Sequence, residues 1–388
     1  MPAARATGAY GELRYGLIHA LSKSGTLDVL ALDIKPVDES LRPLCAACIV
    51  GDVLDARLLE RLVSEFEIDV IFHLAALLST RAEFTPKTAH EVNVQGTLNL
   101  LELAIEQSRW HGREVRFLFP SSIAAYGLAP RLKMEVGSVK EDEYNFPTTM
   151  YGCNKLYCEH LGNYYAQYFQ QLAVDRLRTG VDFRAIRFPG LLSAFTVPSG
   201  GTSDFAPEML HAAAQGQAYE CFVRADTRIP FMTMPDAVQA LLRLMDAPKS
   251  ELTRHVYNIG AFNPSAEEFA AHVREHFPRA ELSFSVDERR QGIVDTWPTE
   301  VDDNAARTDW GFKPEHDLKT AFEKYLVPNI AARYACASCT GPGPSPRQAH
   351  GQTPPPRRRA PYQRRRRGLH PHRPLSGHAR IQRIRDRL

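Results

Sequence analysis

Four apolar runs of strand length, separated by amphipathic stretches of helical length, constrain this 388-residue chain more than any single residue does. "DVLALD" (28–33), "DVIFHLAA" (69–76), "VRFLFPSS" (115–122) and "DFRAIRF" (182–188) are near-continuous hydrophobic segments, as strands buried on both faces require. Between them, "DARLLERLVSEF" (55–66), "EVNVQGTLNLLELAIEQ" (91–107) and "YGCNKLYCEHLGNYYAQYF" (151–169) repeat apolar residues at helical spacing. Strands alternating with helices predict an α/β chain with a Rossmann-type, doubly wound parallel sheet, in which ligands sit beyond the carboxyl ends of the strands. We expect this nucleotide-binding domain over residues 1–180. Residues 181–334 are expected to form mainly a smaller C-terminal α/β substrate domain, with some segments returning to the sheet.

The stretch "TGAYGELR" (7–14) stands where such a sheet seats a dinucleotide's phosphates. Gly8 and Gly11 permit a tight turn that exposes backbone N–H groups at a helix N-terminus. Arg14 occupies the place of the last glycine, and a long side chain there must bend to solvent or push the helix away. Upstream, "MPAARA" is a poor strand, with a proline and no β-branched residue, so the first strand is expected to be short or weakly specified. Asp33 ends "DVLALD" twenty-two residues after Gly11, where a carboxylate accepts hydrogen bonds from the adenosine ribose and repels a 2′-phosphate. A strand-end Asp also commonly caps its own turn, but the spacing favours the ribose role and hence NAD over NADP. Asp52, in "IVGDVLD", is similarly placed to reach the adenine edge.

Tyr151 and Lys155 are spaced i, i+4 and therefore emerge from one face of their helix. A phenol with an ordinary pKa near 10 is a poor base at neutral pH, and a neighbouring ammonium stabilises its phenolate. Upstream, Ser121 and Ser122 end a buried strand and offer hydroxyls to a reacting oxygen. A Tyr-x-x-x-Lys pair arises often by chance. Its placement after a nucleotide-binding half and a strand-end serine points to proton abstraction coupled to nicotinamide reduction.

With these motifs the sequence resembles the extended short-chain dehydrogenase/reductases over residues 6–334. The resemblance is carried by "TGAYGEL", Asp33, "GDVLD", "HLAALLS", Asn93, "PSSIAAYG", "YGCNK", "RFPGLLS", "PFMTMPDAVQAL", "HVYNIG" and "ARTDWGFKP". Within that family, "GGTSDFAPEMLHAAAQG", "CFVRADTRIPFMTMPDAV" and "DTWPTEVDDNAARTDWGF" are similar to the zinc-independent, epimerase-like L-threonine 3-dehydrogenases. The resemblance implies NAD as cofactor, L-threonine as substrate and 2-amino-3-ketobutyrate as product. It implies Tyr151 as general base, Lys155 as ribose contact and electrostatic support, and Ser122 as the catalytic hydroxyl with Ser121 beside it. Gly8, Gly11, Asp33, Asp52, Leu74, Ala75, Ala76, Asn93, Ser121, Tyr151, Lys155 and Pro189 would hold the cofactor. Ser79, Ser122, Tyr151, Thr202 and Trp297 would line the amino-acid pocket. A homodimer formed through helices 88–107 and 150–170 is also implied.

Two other readings remain. A sugar-nucleotide epimerase or dehydratase shares the fold and the Tyr–Lys pair, but a nucleotide diphosphate calls for arginines, and the pocket segment 199–222 contains none. A non-catalytic NAD-binding protein is the second, favoured by Arg14 and the thin first strand. Residues 336–388 hold thirteen Arg, no Lys and one Asp, so a chain of net charge +2 is acidic over its remainder. This Pro/Arg-rich tail, 335–388, is expected to be disordered, with nucleic-acid binding not expected because neither aromatic interleaving nor a basic helix face accompanies the charge. Cys45–Cys48 and Cys336–Cys339 have zinc-knuckle spacing but lie nearly 290 residues apart, so no metal is expected. No apolar run reaches spanning length and the first twenty residues lack a secretory core, which leads us to expect a cytoplasmic protein without membrane contact.

Overall fold

The computed structural model describes residues 3–7, 12–174, 180–198 and 200–337. Seven parallel strands form the main sheet: β1 Ala3–Thr7, β2 Asp28–Asp33, β3 Ala47–Val50, β4 Ile68–His73, β5 Val115–Ser122, β6 Val181–Phe188 and β7 Val256–Asn258. Their spatial order is β7-β6-β5-β4-β1-β2-β3. The chain therefore builds outward from β1 in one direction, then crosses back to β4 and builds the other way. This reversal opens a crevice between the carboxyl ends of β1 and β4, where Thr7 is paired with His73 on one side and with Leu32 on the other.

Strand periodicity assigns side chains to the two faces. Val29 and Ala31 of β2, Val70 and Phe72 of β4, and Leu118 of β5 pack with Leu17, Ile18 and Leu21 of α1 (Glu12–Ser24). Leu30, Leu32, Ile71, Phe117 and Phe119 face the opposite way, onto α2 (Ala56–Glu65), α3 (Gly96–His111) and α4 (Met150–Asn163). A third apolar cluster belongs to the C-terminal elements: α5 (Phe205–Ala214), α7 (Ala266–His276), α8 (Glu288–Val294) and α9 (Val327–Ala337). The intervening α6 (Met234–Asp246) returns to the sheet beside α1.

Two expectations change. The first strand is not marginal: all five residues of β1 pair on both sides, with one register shift between Ala3 and Ala4, at the centre of the sheet. Flanking strands specify it where its own residues do not. Arg14 neither bends to solvent nor forces α1 away. It is 5 % exposed, and the close approach of α1 to α6 is made instead at Gly16, where a Cβ would meet Val238 Cγ2 at 2.8 Å.

The helix expected from residue 91 begins as a π-turn, Glu91–Gln95, and the one expected to reach 169 ends in another, Tyr164–Tyr168. Gly8, Gly11 and the tail from residue 338 lie outside the described residues. Among the described residues no helix is long and apolar enough to cross a membrane.

Candidate active site

The loop before α4 is held by Thr149, whose hydroxyl accepts from the Gly152 N–H at 3.0 Å and caps the helix. Glu83, in the short helix Ser79–Phe84, accepts from the Met150 N–H at 2.7 Å. A Cβ on Gly152 would lie 2.0 Å from the Ala124 carbonyl oxygen, so only glycine lets α4 approach the end of β5 this closely. That approach brings the neighbouring Tyr151 toward Ser122, whose hydroxyl favours the phenolate. Ser122 also accepts from the Ala124 N–H at 3.1 Å.

Burial pushes the Tyr151 phenol up to about 12, opposed by the Ser122 hydrogen bond. Lys155 is 5 % exposed, and burial brings its ammonium down to about 8. Its Nζ donates to the Pro120 carbonyl at 2.6 Å and stands 4.6 Å from the Phe119 ring centre and 5.5 Å from that of Tyr151. Tyr151 and Lys155 thus share one face of α4, as their spacing predicts. The influence that opposes burial at the phenol comes from Ser122 rather than from the lysine.

Ser121 points elsewhere. Its hydroxyl donates to Glu159 Oε1 at 2.5 Å, and Glu159 is gripped on both oxygens by Arg187, at 2.9 Å from Nε and 2.6 Å from Nη2. Arg187 donates further to the Glu141 carbonyl at 3.0 Å and lies 4.6 Å from the Tyr126 ring centre. With its hydroxyl turned into this buried ion pair, Ser121 shapes the end of β5 from behind, a different task from the cofactor contact expected of it.

At the crevice, Asp33 is buried at the end of β2, its Oδ2 2.5 Å from Arg14 Nη1 and its Oδ1 accepting from the Lys35 N–H at 3.1 Å. Leu74, Ala75 and Ala76 follow β4 as half-buried apolar residues, and Ile34 is 59 % exposed. An apolar seat edged by a strand-end carboxylate, at the reversal point of the sheet, fits an adenosine. Asn93 acts one step back from this seat. Its side chain accepts from the Leu77 N–H at 2.7 Å and donates to the Leu77 carbonyl at 3.1 Å, fixing the loop that carries Ala75 and Ala76. The π-turn around Asn93 is the kind of local irregularity that accompanies functional positions. Asp52 is exposed and accepts from the Leu54 N–H at 3.0 Å; Pro189 is buried directly after β6.

Thr202 donates to Ser79 at 3.2 Å, so two residues 123 positions apart meet. Thr80 donates to the Gly200 carbonyl at 3.0 Å, binding the same loop to the same short helix. Trp297 is 4 % exposed in the cluster against which Tyr151 packs, and its indole N–H has no partner among the described residues.

Sequence reasoning missed Arg290. From α8 its Nη2 donates to the Gly201 carbonyl at 2.6 Å, and its guanidinium lies 3.1 Å from the Phe222 ring centre. The absence of arginine from 199–222 therefore does not exclude an anionic group here, because the fold imports one from another segment. A search for cations across the whole C-terminal part would have raised it.

Comparison with known proteins agrees with this geometry. The NAD dependent epimerase/dehydratase family model matches residues 6–260. The chain is 37 % identical over 314 residues to the mitochondrial L-threonine 3-dehydrogenase of Bos taurus, covering 80 % of this chain and 78 % of that one. Among solved structures, the L-threonine dehydrogenase of Clostridium difficile superposes with a TM-score of 0.74 at 33 % identity, covering 86 % of this chain and 98 % of its own. A monomeric L-threonine 3-dehydrogenase of metagenomic origin gives 0.72 at 34 % identity, covering 85 % and 99 %.

Proposed function

Because this chain belongs to the NAD-dependent epimerase/dehydratase family, we propose that it oxidises the 3-hydroxyl of L-threonine with NAD to give 2-amino-3-ketobutyrate. The placement of Tyr151 and Lys155 on one face of α4, with the lysine Nζ 5.5 Å from the phenol ring centre and 2.6 Å from the Pro120 carbonyl near the end of β5, is the observation that carries this reading. The threonine dehydrogenases among the relatives support the substrate, as does the meeting of Ser79 with Thr202.

Tyr151 Oη takes the proton of the substrate hydroxyl while Ser122 holds that oxygen in place. A phenol near 12 is protonated at neutral pH, so positive charge must reach it before it acts as a base. A bound nicotinamide supplies part of that charge and the hydride acceptor. Lys155, near 8, remains mostly an ammonium at pH 7 and supplies the rest. The hydroxyls of Ser79 and Thr202 and the Arg290 guanidinium, which meet at Gly201–Thr202, would form a donor set suited to an amino-acid carboxylate, with the Trp297 N–H, unpartnered among the described residues, as a further donor. Asp33, Leu74, Ala75 and Ala76 would seat the adenosine, with Asn93 fixing their loop.

The test is an NAD-reduction assay on the full chain with L-threonine, L-serine, 3-hydroxybutyrate and UDP-sugars. L-Threonine is expected to be oxidised, and Tyr151→Phe to lower turnover by about 10³-fold. Undiminished turnover in that variant removes Tyr151 from its role. Arg290 is the observation that favours the sugar-nucleotide reading, and conversion of UDP-sugars without threonine oxidation would replace ours with it. The proposal includes a homodimer through α3 and α4, supported by Trp110, Tyr157 and Tyr164 standing 75 %, 54 % and 41 % exposed. A mass of one chain by light scattering would remove that part.

A further inference from the structure

We propose that Arg14 makes the dinucleotide crevice tolerant of a 2′-phosphate, so that this chain takes NADP as well as NAD. The inference rests on the reading that the crevice holds a nicotinamide dinucleotide and concerns only which one it admits.

A strand-end carboxylate discriminates against the 2′-phosphate by bringing an uncompensated negative charge to the adenosine ribose. Asp33 cannot do so as it stands. Its Oδ2 lies 2.5 Å from Arg14 Nη1, with the two side chains only 1 % and 6 % exposed. Burial away from salt keeps this pair from being screened, so what faces the ribose is a dipole whose field falls off faster than that of a lone carboxylate.

The surrounding charges do not restore the exclusion. Lys35, exposed two residues beyond Asp33, adds a second cation. Asp38 is the second carboxylate in reach of Arg14: the Ser40 hydroxyl and N–H hold it below the usual range, with a smaller contribution from Arg14 itself. Arg14, Lys35 and Arg42 offset Asp33, Asp38 and Glu39, which leaves the turn after β2 without net negative charge. Because Arg14 stands at a position where the dinucleotide motif ordinarily has glycine, it adds a cation to a site built around an acid.

Equilibrium binding of NADH and NADPH to the full chain, followed by nicotinamide fluorescence with no second substrate, tests this. The two dissociation constants are expected within about tenfold of each other, and Arg14→Gln is expected to raise the NADPH/NADH ratio by about tenfold or more. Arg14→Gln leaves the Asp33 charge unpaired and can lower stability. Asp33→Asn, which removes that charge and keeps the arginine, is therefore the second arm and is expected to shift the ratio toward NADPH. A wild-type preference for NADH above about a hundredfold, unchanged in both variants, overturns the proposal while leaving threonine oxidation standing. If neither dinucleotide binds, this inference and the functional reading fall together.

Discussion

Among the described residues three arginine–carboxylate pairs are buried against the sheet, and two of them, Arg187–Glu159 and Arg14–Asp33, are built differently. Beneath α4, Glu159 is held on both oxygens by Arg187, receives Ser121 as a third donor, and stacks its partner on Tyr126. At the crevice, Asp33 meets Arg14 with one oxygen and gives the other to a backbone N–H. The three-donor network around Glu159 fixes geometry; a carboxylate with one donor on each oxygen retains a further lone pair on each for a ligand. The first pair locks the end of β5 and the catalytic helix together, and the second lies where the proposed cofactor's ribose would arrive. Burial alone does not distinguish a structural ion pair from one placed for binding. The number of donors already spent on the carboxylate does.

Removing one partner of the closed network gives the largest expected effect. Arg187→Met leaves Glu159 charged and buried, at a cost of about 3–5 kcal/mol, measured as a fall in denaturant midpoint at unchanged slope. Pairing it with Glu159→Leu is expected to recover much of that loss, since the double variant strands no charge. A second expectation sharpens the contrast. Arg14→Met is expected to cost less, about 1–2 kcal/mol, because Asp33 keeps its Lys35 N–H and loses a single donor where Glu159 loses two. If the two single variants prove equally destabilising, Arg14 is structural in the same sense as Arg187 and the comparison breaks.

The same contrast explains what could be read from the sequence. β2 and β5 lie where their apolar runs placed them, residue for residue, because strands buried on both faces read as near-continuous apolar runs whose ends are marked by polar residues. That Tyr151 and Lys155 share a helix face was legible from their i, i+4 spacing, whereas Ser79 and Thr202 were reached only through the family resemblance. The ion pairs were not. "DFRAIRF" signals that Arg187 must be neutralised if the run is buried, but nothing in it names Glu159, 28 residues upstream on another element. Arg14 was seen as a defect in a glycine motif because its partner is specified by a strand order that only the fold supplies. β1 illustrates the opposite case: a weak segment made into the central strand by its two neighbours.

The smallest effect concerns Lys155, four residues before Glu159 on the same helix. Were Glu159 available to it, Lys155 would be held charged; instead burial is the larger influence and lowers it from 10.5 to about 8, with Cys158 and Glu159 opposing only in part. The sign follows from proton counting. Between pH 8 and 10.5 the unfolded chain carries this proton and the folded chain does not, so the group's contribution to stability rises with pH across that window. Below pH 8 the cost of burying the ammonium is felt in full. Lys133, also brought by burial to about 8, contributes in the same window, so the wild-type slope alone does not isolate Lys155. The difference between wild type and Lys155→Met does: the variant is expected to gain less from pH 7.5 to 9.5, by about 1 kcal/mol, in parallel urea titrations. Identical gains would mean that Lys155 keeps its proton throughout, drawing on Glu159 despite Arg187, and the network beneath α4 would then be less closed than its distances indicate.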